Sequence, residues 1–396
     1  MIDNFSQFLA NFHYTLPKEK IAHQPVAERD QSRLLLFDRQ TGRYSDHHFF
    51  QLDQFLNKQD VLVLNETKVF PARLLGKKDT GGKVELLLIK TLTSDSWQAI
   101  SKPSLKLNQQ LYFPPRNYTL DDNLDLEDLL QAKVASCQRD SALVEVKFNC
   151  ADERLWQKIE SCGFTPLPPY IKNKQSEDLR RSEYQTVYAK NIGSAAAPTA
   201  GLHFTEKLME KLKNKGVQIE KIDLAVGLGT FAKLSRDNWE KQSLHQEYYQ
   251  IQDDVAKRLT EAKRMGKRII ALGTTSARAL ESVFINYQKI PKKSAKTKKN
   301  DFSLKTGRES TNLFINPPYQ FQMVDALITN FHLPQSSLLM MVSAFASQPN
   351  SPFIFKNFTQ SSLGEVYQHA IKHDYRFFSF GDAMYIGDTI HKDEKK

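Results

Sequence analysis

Apolar residues along this 396-residue chain follow two different rhythms. From about residue 73 to 150, short runs (RLLGKK, KVELLLIK, WQAIS, QQLYFP, ALVEVKF) alternate apolar with polar positions or stay briefly apolar, separated by TGG, KP, PPRN and DD. A period of two bounded by turn residues marks antiparallel strands, and several such strands at regular spacing predict a small barrel or sandwich. One stretch departs from this texture: LDDNLDLEDLLQAK at 120–133 has the spacing of an acidic helix.

Beyond residue 150 the period lengthens. DERLWQKIESCG (152–163) and FTEKLMEKLKNKG (204–216) each carry an apolar face and stop at a glycine, as helices do. VQIEKIDLAVG then reads as strand, DDVAKRLTEAKRMG as helix, RIIALG as strand and SARALESVFINY as helix. VDALITN is a further strand, SSLLMMVSAFAS a helix and LGEVYQHAIKH a last helix; upstream, VLVLN at 61–65 is a buried strand. Strands alternating with helices imply a parallel or mixed sheet covered by helices. The predicted architecture is an α/β domain built from both chain ends, 1–71 and 153–396, with a β-rich insertion at 72–152.

Composition changes this picture at one place. The formal net charge is +10, and residues 291–308 hold seven cations against the single acid Asp301, which accounts for six of those charges. Without periodicity and rich in Lys, Ser and Thr, 287–310 reads as a disordered, basic surface insertion. The protein is otherwise only mildly basic. An anionic partner follows from the charge, but not its identity.

Three cysteines, Cys137, Cys150 and Cys162, form no CxxC pair, so neither a disulfide framework nor a thiolate metal site is expected. The start MIDNFSQFLANFHY lacks a basic segment before an apolar one, and the longest apolar run, LLMMVSAFA at 338–346, is too short to span a bilayer. A reduced, cytoplasmic chain with no membrane contact is the expectation. HExxH, P-loop, Gly-x-Ser-x-Gly and EF-hand spacings are absent.

Chemistry in an α/β sheet gathers where strand ends meet helix starts, and four such junctions carry unusual polar residues. GSAAAPTAGLHFT (193–205) combines small residues that allow close backbone approach with Thr199, Gly201 and His203, ahead of a helix capped by Thr205. VGLGTF (226–231) supplies Gly227 and Gly229 after a strand but lacks a third glycine, so a bare turn explains it better than a nucleotide loop. In RIIALGTTSARALES (268–282), Gly273, Thr274, Thr275 and Ser276 open a helix in the manner of an anion site, and Arg278 and Glu281 lie three apart on one face. LITNFHLPQSS (327–337) places Asn330 and His332 just after a strand. A fifth cluster, YRFFSFGDAM (375–384), sets Arg376 and Asp382 among aromatics, as a core stripe or as a platform for a base.

Taken together, these segments resemble the S-adenosylmethionine:tRNA ribosyltransferase-isomerase family of queuosine biosynthesis. The resemblance also covers YTLPKEKIAHQPVAERDQSRLLL, VLVLNETKVFPARLLG, TGGKVELLL, PPYI, YQTVYA and DALITNFHLPQSSLLMMVSAF, in the family's order from about residue 14 to 386. It implies an α/β domain with an inserted antiparallel β-barrel. It implies transfer of the ribosyl part of S-adenosyl-L-methionine, as co-substrate, to 7-aminomethyl-7-deazaguanine at the wobble position of tRNA. Isomerisation there gives epoxyqueuosine with release of adenine and methionine. No metal is expected, and the chain is expected to be a monomer.

That reaction needs a base near the carbon beside the sulfonium and donors for adenine and for the methionine carboxylate. By position, His203, His332 and Glu281 are the catalytic candidates, the two histidines for proton transfer. The 273–276 turn and Arg278 would hold an anionic group, Glu281 or Asp382 a cation, and Phe377 or Phe378 would stack on a base. Thr199, Gly201, Gly227, Gly229, Asn330 and Arg376 complete the expected substrate contacts. The chain departs from the family pattern at Ala225, where a histidine is usual, at Lys241 and Gln242 in KQSLHQE, and at Pro318 in Pro317–Pro318–Tyr319.

Overall fold

The architecture is that of a computed structural model, which describes residues 3–118, 125, 127–137, 142–171, 175–225, 234–289, 304 and 306–388. Its largest element is a nine-stranded mixed sheet. In spatial order the strands are Gly307–Leu313, Ser243–Ile251, Gln218–Ala225, Asp60–Asn65, Arg268–Leu272, Ala326–Asn330, Ala383–Gly387, Arg33–Asp38 and Tyr44–His48. The four from Gln218–Ala225 to Ala326–Asn330 run parallel, and Ala383–Gly387 is antiparallel to the last of them but parallel to Arg33–Asp38.

Burial on both faces explains the unbroken apolar runs of the central strands. Val61, Val63, Ile269 and Ala271 point into one core, packed with Leu280, Leu339, Phe345 and Tyr367 from the covering helices. Their neighbours Leu62, Leu64, Ile270 and Leu272 point into a second core, closed by Leu208, Met209 and Leu212 of the helix Glu206–Asn214.

The predicted insertion folds as a six-stranded antiparallel barrel. Its strands are Arg73–Lys78, Lys83–Thr91, Ser96–Lys102, Leu143–Phe148, Leu130–Cys137 and Gln110–Phe113, closed by pairing of Lys77 with Tyr112. Alternate residues such as Leu86, Leu88, Trp97, Ala99, Val144 and Val146 fill the interior. A short strand from outside the insertion, Gly163–Phe164, pairs with Leu74 and Arg73.

Two expectations are corrected. The acidic helix at 120–133 is not found: Leu130–Cys137 is a barrel strand, residues 127–129 form a turn, and 119–124 and 126 lie outside the described residues. The basic insertion is shorter than 287–310, because the preceding helix runs on to Lys289 and a strand begins at Gly307; 290–303 and 305 lie outside the described residues.

Barrel closure requires Gly76 to have no side chain. A Cβ there would sit 2.2 Å from the Tyr112 carbonyl oxygen and 2.5 Å from the Phe113 ring. Gly76→Ala is expected to destabilise the protein by about 2 kcal/mol or more, read as a lower Tm. An equal Tm would show that the seam tolerates a methyl group.

Candidate active site

The strand directions bring separate segments to one edge of the sheet. Arg268–Leu272 and Ala326–Asn330 end there, and the antiparallel Ala383–Gly387 begins there, with Asn330 paired to Ala383. Gly273 turns the first of these strands into the helix Thr274–Lys289 at φ +87°, which favours glycine, and its N–H donates to the Ile328 carbonyl at 2.8 Å. A cavity opens at this edge. Its walls come from residues 197–200, from Gly273, Thr274 and Thr275, from 329–333 with Ser336 and Leu338, and from Tyr170, Phe378 and Ser379. This described lining carries no carboxylate, ammonium or guanidinium.

His332 is the candidate base in this wall. Its backbone is held at both ends: the Tyr14 hydroxyl donates to its carbonyl, and its N–H donates to the Tyr367 hydroxyl at 3.1 Å. The two tyrosine rings lie edge to face at 5.4 Å. The ring Nε2 is 3.3 Å from Thr329 Oγ1, and Nδ1 is buried without a hydrogen-bond partner among the described residues. Burial lowers the imidazole pKa to about 3, so the ring is neutral near pH 7 and carries a lone pair for a proton.

His203 lies behind the wall and does not line the cavity. Its Nε2 is 3.1 Å from Asn330 Nδ2, its Nδ1 is 2.7 Å from Ser32 Oγ, and its ring packs on Phe49. Thr199 Oγ1 donates to Asn330 Oδ1 at 3.2 Å. Burial, with Arg376 and Arg29 nearby, lowers the His203 pKa to about 3.

Other expected site residues have structural partners elsewhere. Glu281 is fully buried, and its carboxylate accepts from the N–H groups of Gln322, Met323 and Val324 at 2.9 to 3.0 Å and from the Tyr319 hydroxyl at 3.2 Å. With those bonds made it clamps the segment entering the Ala326–Asn330 strand, and it does not reach the cavity. Arg278 is buried in an ion pair with Glu247. Asp382 accepts from the Arg33 and Arg376 N–H groups at 2.9 and 2.8 Å, fixing its own loop, while the Arg376 guanidinium donates to the Gln24 carbonyl.

Ser276 is buried inside the helix start, outside the lining. Gly201 packs against Tyr188, whose hydroxyl would lie 2.0 Å from an added Cβ. Gly227 and Gly229 lie outside the described residues. Ala225, Lys241, Gln242 and Pro318 are absent from the cavity lining.

Of the two aromatic neighbours, Phe377 is a core residue packed on Phe331 and Tyr367, and Phe378 faces the cavity. Phe378 has φ +73°, an uncommon backbone state for an aromatic, held by its N–H to the Phe331 carbonyl at 3.2 Å. Its ring lies 4.4 Å from that of Tyr170, whose hydroxyl bonds Ser379. The Tyr170 contribution was hidden in the short motif PPYI, which carries no chemical signal by itself.

The two buried histidines make stability depend on pH. In the unfolded chain an imidazole binds a proton below about pH 6.5, whereas both folded rings hold off protonation until about 3. The unfolded state therefore binds more protons as pH falls, and stability drops by about 1.4 kcal/mol per pH unit for each ring. Denaturant unfolding between pH 7.5 and about 5 should show this loss, and His332→Gln should take about 1.4 kcal/mol per pH unit off the slope below about pH 6.5. An unchanged slope in that variant would mean that His332 is accessible to protons in the fold.

The sequence matches known proteins along almost its whole length. The family model described as "Queuosine biosynthesis protein" matches residues 9–386. The S-adenosylmethionine:tRNA ribosyltransferase-isomerase of Fusobacterium nucleatum is 41% identical over 384 residues, covering 96% of this chain and 97% of the relative. The protein of the same name from Thermotoga petrophila is 42% identical over 378 residues, 96% of this chain and 99% of the relative. A crystal structure of S-adenosylmethionine tRNA ribosyltransferase from Thermotoga maritima is 33% identical and covers 95% of this chain and 99% of its own, with a TM-score of 0.49. On the strength of these sequence matches, the chain belongs to the family of queuosine biosynthesis proteins.

Proposed function

We propose that this protein transfers the ribosyl part of S-adenosyl-L-methionine to the aminomethyl group of 7-aminomethyl-7-deazaguanine in tRNA and isomerises it to the epoxycyclopentane of epoxyqueuosine. Adenine and methionine leave. The observation that carries the reading is the cavity itself, because its walls come from five separated stretches that also carry the family resemblance: 168–171, 193–205, 273–282, 325–345 and 375–384.

The lining supports a division of labour. His332, neutral and with a buried Nδ1 that has no partner among the described residues, takes the proton from the carbon beside the sulfonium in this reading. The first N–H groups of the helix Thr274–Lys289, with Thr274 and Thr275, suit the methionine carboxylate. The paired rings of Phe378 and Tyr170 offer aromatic faces to adenine. With no ionised side chain in the described lining, the sulfonium meets no competing cation there. In this reading the enzyme is a cytoplasmic monomer with S-adenosyl-L-methionine as co-substrate and no metal.

The test is incubation with S-adenosyl-L-methionine and tRNA bearing 7-aminomethyl-7-deazaguanine, followed by nucleoside mass spectrometry. Epoxyqueuosine that depends on tRNA is the expected result. Adenine released without tRNA would mark a small-molecule enzyme, and salt-sensitive tRNA binding with neither product would mark an RNA-binding protein. His332→Gln is expected to lower kcat by about a hundredfold or more with a smaller change in KM. Unimpaired turnover would remove His332 from proton transfer. Deleting residues 291–303, which removes five of the seven cations and spares the buried Leu304 and the strand from Gly307, is expected to raise KM for tRNA and to flatten its salt dependence; no change in either would leave the basic run as a spacer.

A further inference from the structure

Thr199, Asn330, His203 and Ser32 form a hydrogen-bonded file that starts in the cavity wall and runs away from it. The successive separations are 3.2, 3.1 and 2.7 Å, and Ser32 Oγ lies 3.1 Å from the Arg29 carbonyl oxygen. All four side chains are buried or nearly so, and only Thr199 and Asn330 line the cavity.

The last partner sets the direction. A backbone carbonyl only accepts, so the Ser32 hydroxyl donates to it and its oxygen accepts from His203 Nδ1–H. A neutral ring protonated at Nδ1 has its lone pair on Nε2, which accepts from Asn330 Nδ2–H. The Asn330 carbonyl oxygen then faces Thr199 and accepts its hydroxyl proton. At the cavity end, Thr199 Oγ is left with lone pairs only, and Asn330 with one N–H that has no partner among the described residues.

We propose that Ser32 and His203 are positioning residues which, through Asn330, fix this corner of the cavity as an acceptor beside a donor, so that it reads a hydroxyl of the transferred ribosyl group. A hydroxyl is the group that donates to Thr199 and accepts from Asn330 at once. Without Ser32 the imidazole is free to take the other tautomer, which turns its Nε2–H toward Asn330. The amide then flips, Thr199 is offered an N–H instead of a carbonyl, and the corner reverses its polarity. The inference rests on the reading of the cavity as the S-adenosyl-L-methionine site.

The experiment compares tRNA-dependent adenine release from S-adenosyl-L-methionine with release from its 2′-deoxy and 3′-deoxy ribosyl analogues. Thr199→Val and Ser32→Ala are each expected to lower kcat/KM for the natural substrate by about tenfold while changing it little for the analogue that lacks the hydroxyl being read. Ser32→Thr, which keeps the hydroxyl, should restore the discrimination. In the unaltered protein, 15N NMR of labelled histidine, with the His203 signal identified by its loss in His203→Gln, should show the Nδ1–H tautomer. The Nε2–H tautomer, or full discrimination in Ser32→Ala, would overturn the proposal whether or not other variants fold. Phe378→Ala separates the two readings. If it weakens S-adenosyl-L-methionine binding while Ser32→Ala and Thr199→Val do not, the file is wrong and the cavity stands; if none of the three has an effect, the cavity assignment fails.

Discussion

A sheet covered on both faces has only its ends to offer a ligand, and the chemistry of this protein follows from that constraint. Residues 61–64, 269–272 and 326–328 are buried on both sides of the sheet, so the middle of each strand has no room for a substrate. Polar groups appear where the strands stop, at Thr274, Thr329, Asn330 and His332. The antiparallel run of Ala383–Gly387 beside Ala326–Asn330 adds the loop before it to the same edge. That loop supplies Phe378 and Ser379 to a cavity whose other walls follow strand ends in the usual α/β manner.

Charge is arranged around this cavity and kept out of its described lining. Among the described residues, three buried charge-bearing side chains nearby have fixed partners: Glu281 three backbone N–H groups and a hydroxyl, Arg278 the Glu247 carboxylate, and Asp382 two backbone N–H groups. An unmatched buried charge would cost several kcal/mol, so these pairings free the wall to be neutral. A neutral wall in turn leaves the field inside the cavity to helix dipoles, oriented hydroxyls and the ligand's own charge.

The period-two and period-3.6 patterns made most strands and helices legible in the sequence. The exception at 120–133 is instructive, because Leu126 and Leu130 are spaced like a helix face while the true strand alternates Leu130, Ala132 and Val134. The strands Ser243–Ile251 and Gly307–Leu313 carry polar edges and gave little signal. At the site, Asn330 and His332 were legible as polar residues at a strand end. Glu281 was not, since its partners at 322–324 lie some 40 residues on and contribute only backbone. His203 has the same composition signal whether it faces a ligand or stands one layer behind, and only packing against Phe49 and Ser32 decides it. Phe377 and Phe378 are neighbours in one aromatic stripe, separated by a backbone turn that no side-chain pattern announces.

The order of strands also has a consequence for how the chain is made. Barrel strands pair mainly with neighbours in sequence, and the helix and short strand that finish the unit follow at once, so it is complete once residue 164 has been synthesised. The nine-stranded sheet is different: Arg33–Asp38 joins it only through Ala383–Gly387, which lies between that strand and Ala326–Asn330. Until the ribosome has released the last strand, the hairpin of residues 33–48 has no place in the sheet, and the loop carrying Phe378 has no anchored end. The cavity is therefore finished last, as a keystone closes an arch, and the protein passes through synthesis with this edge of the sheet still open.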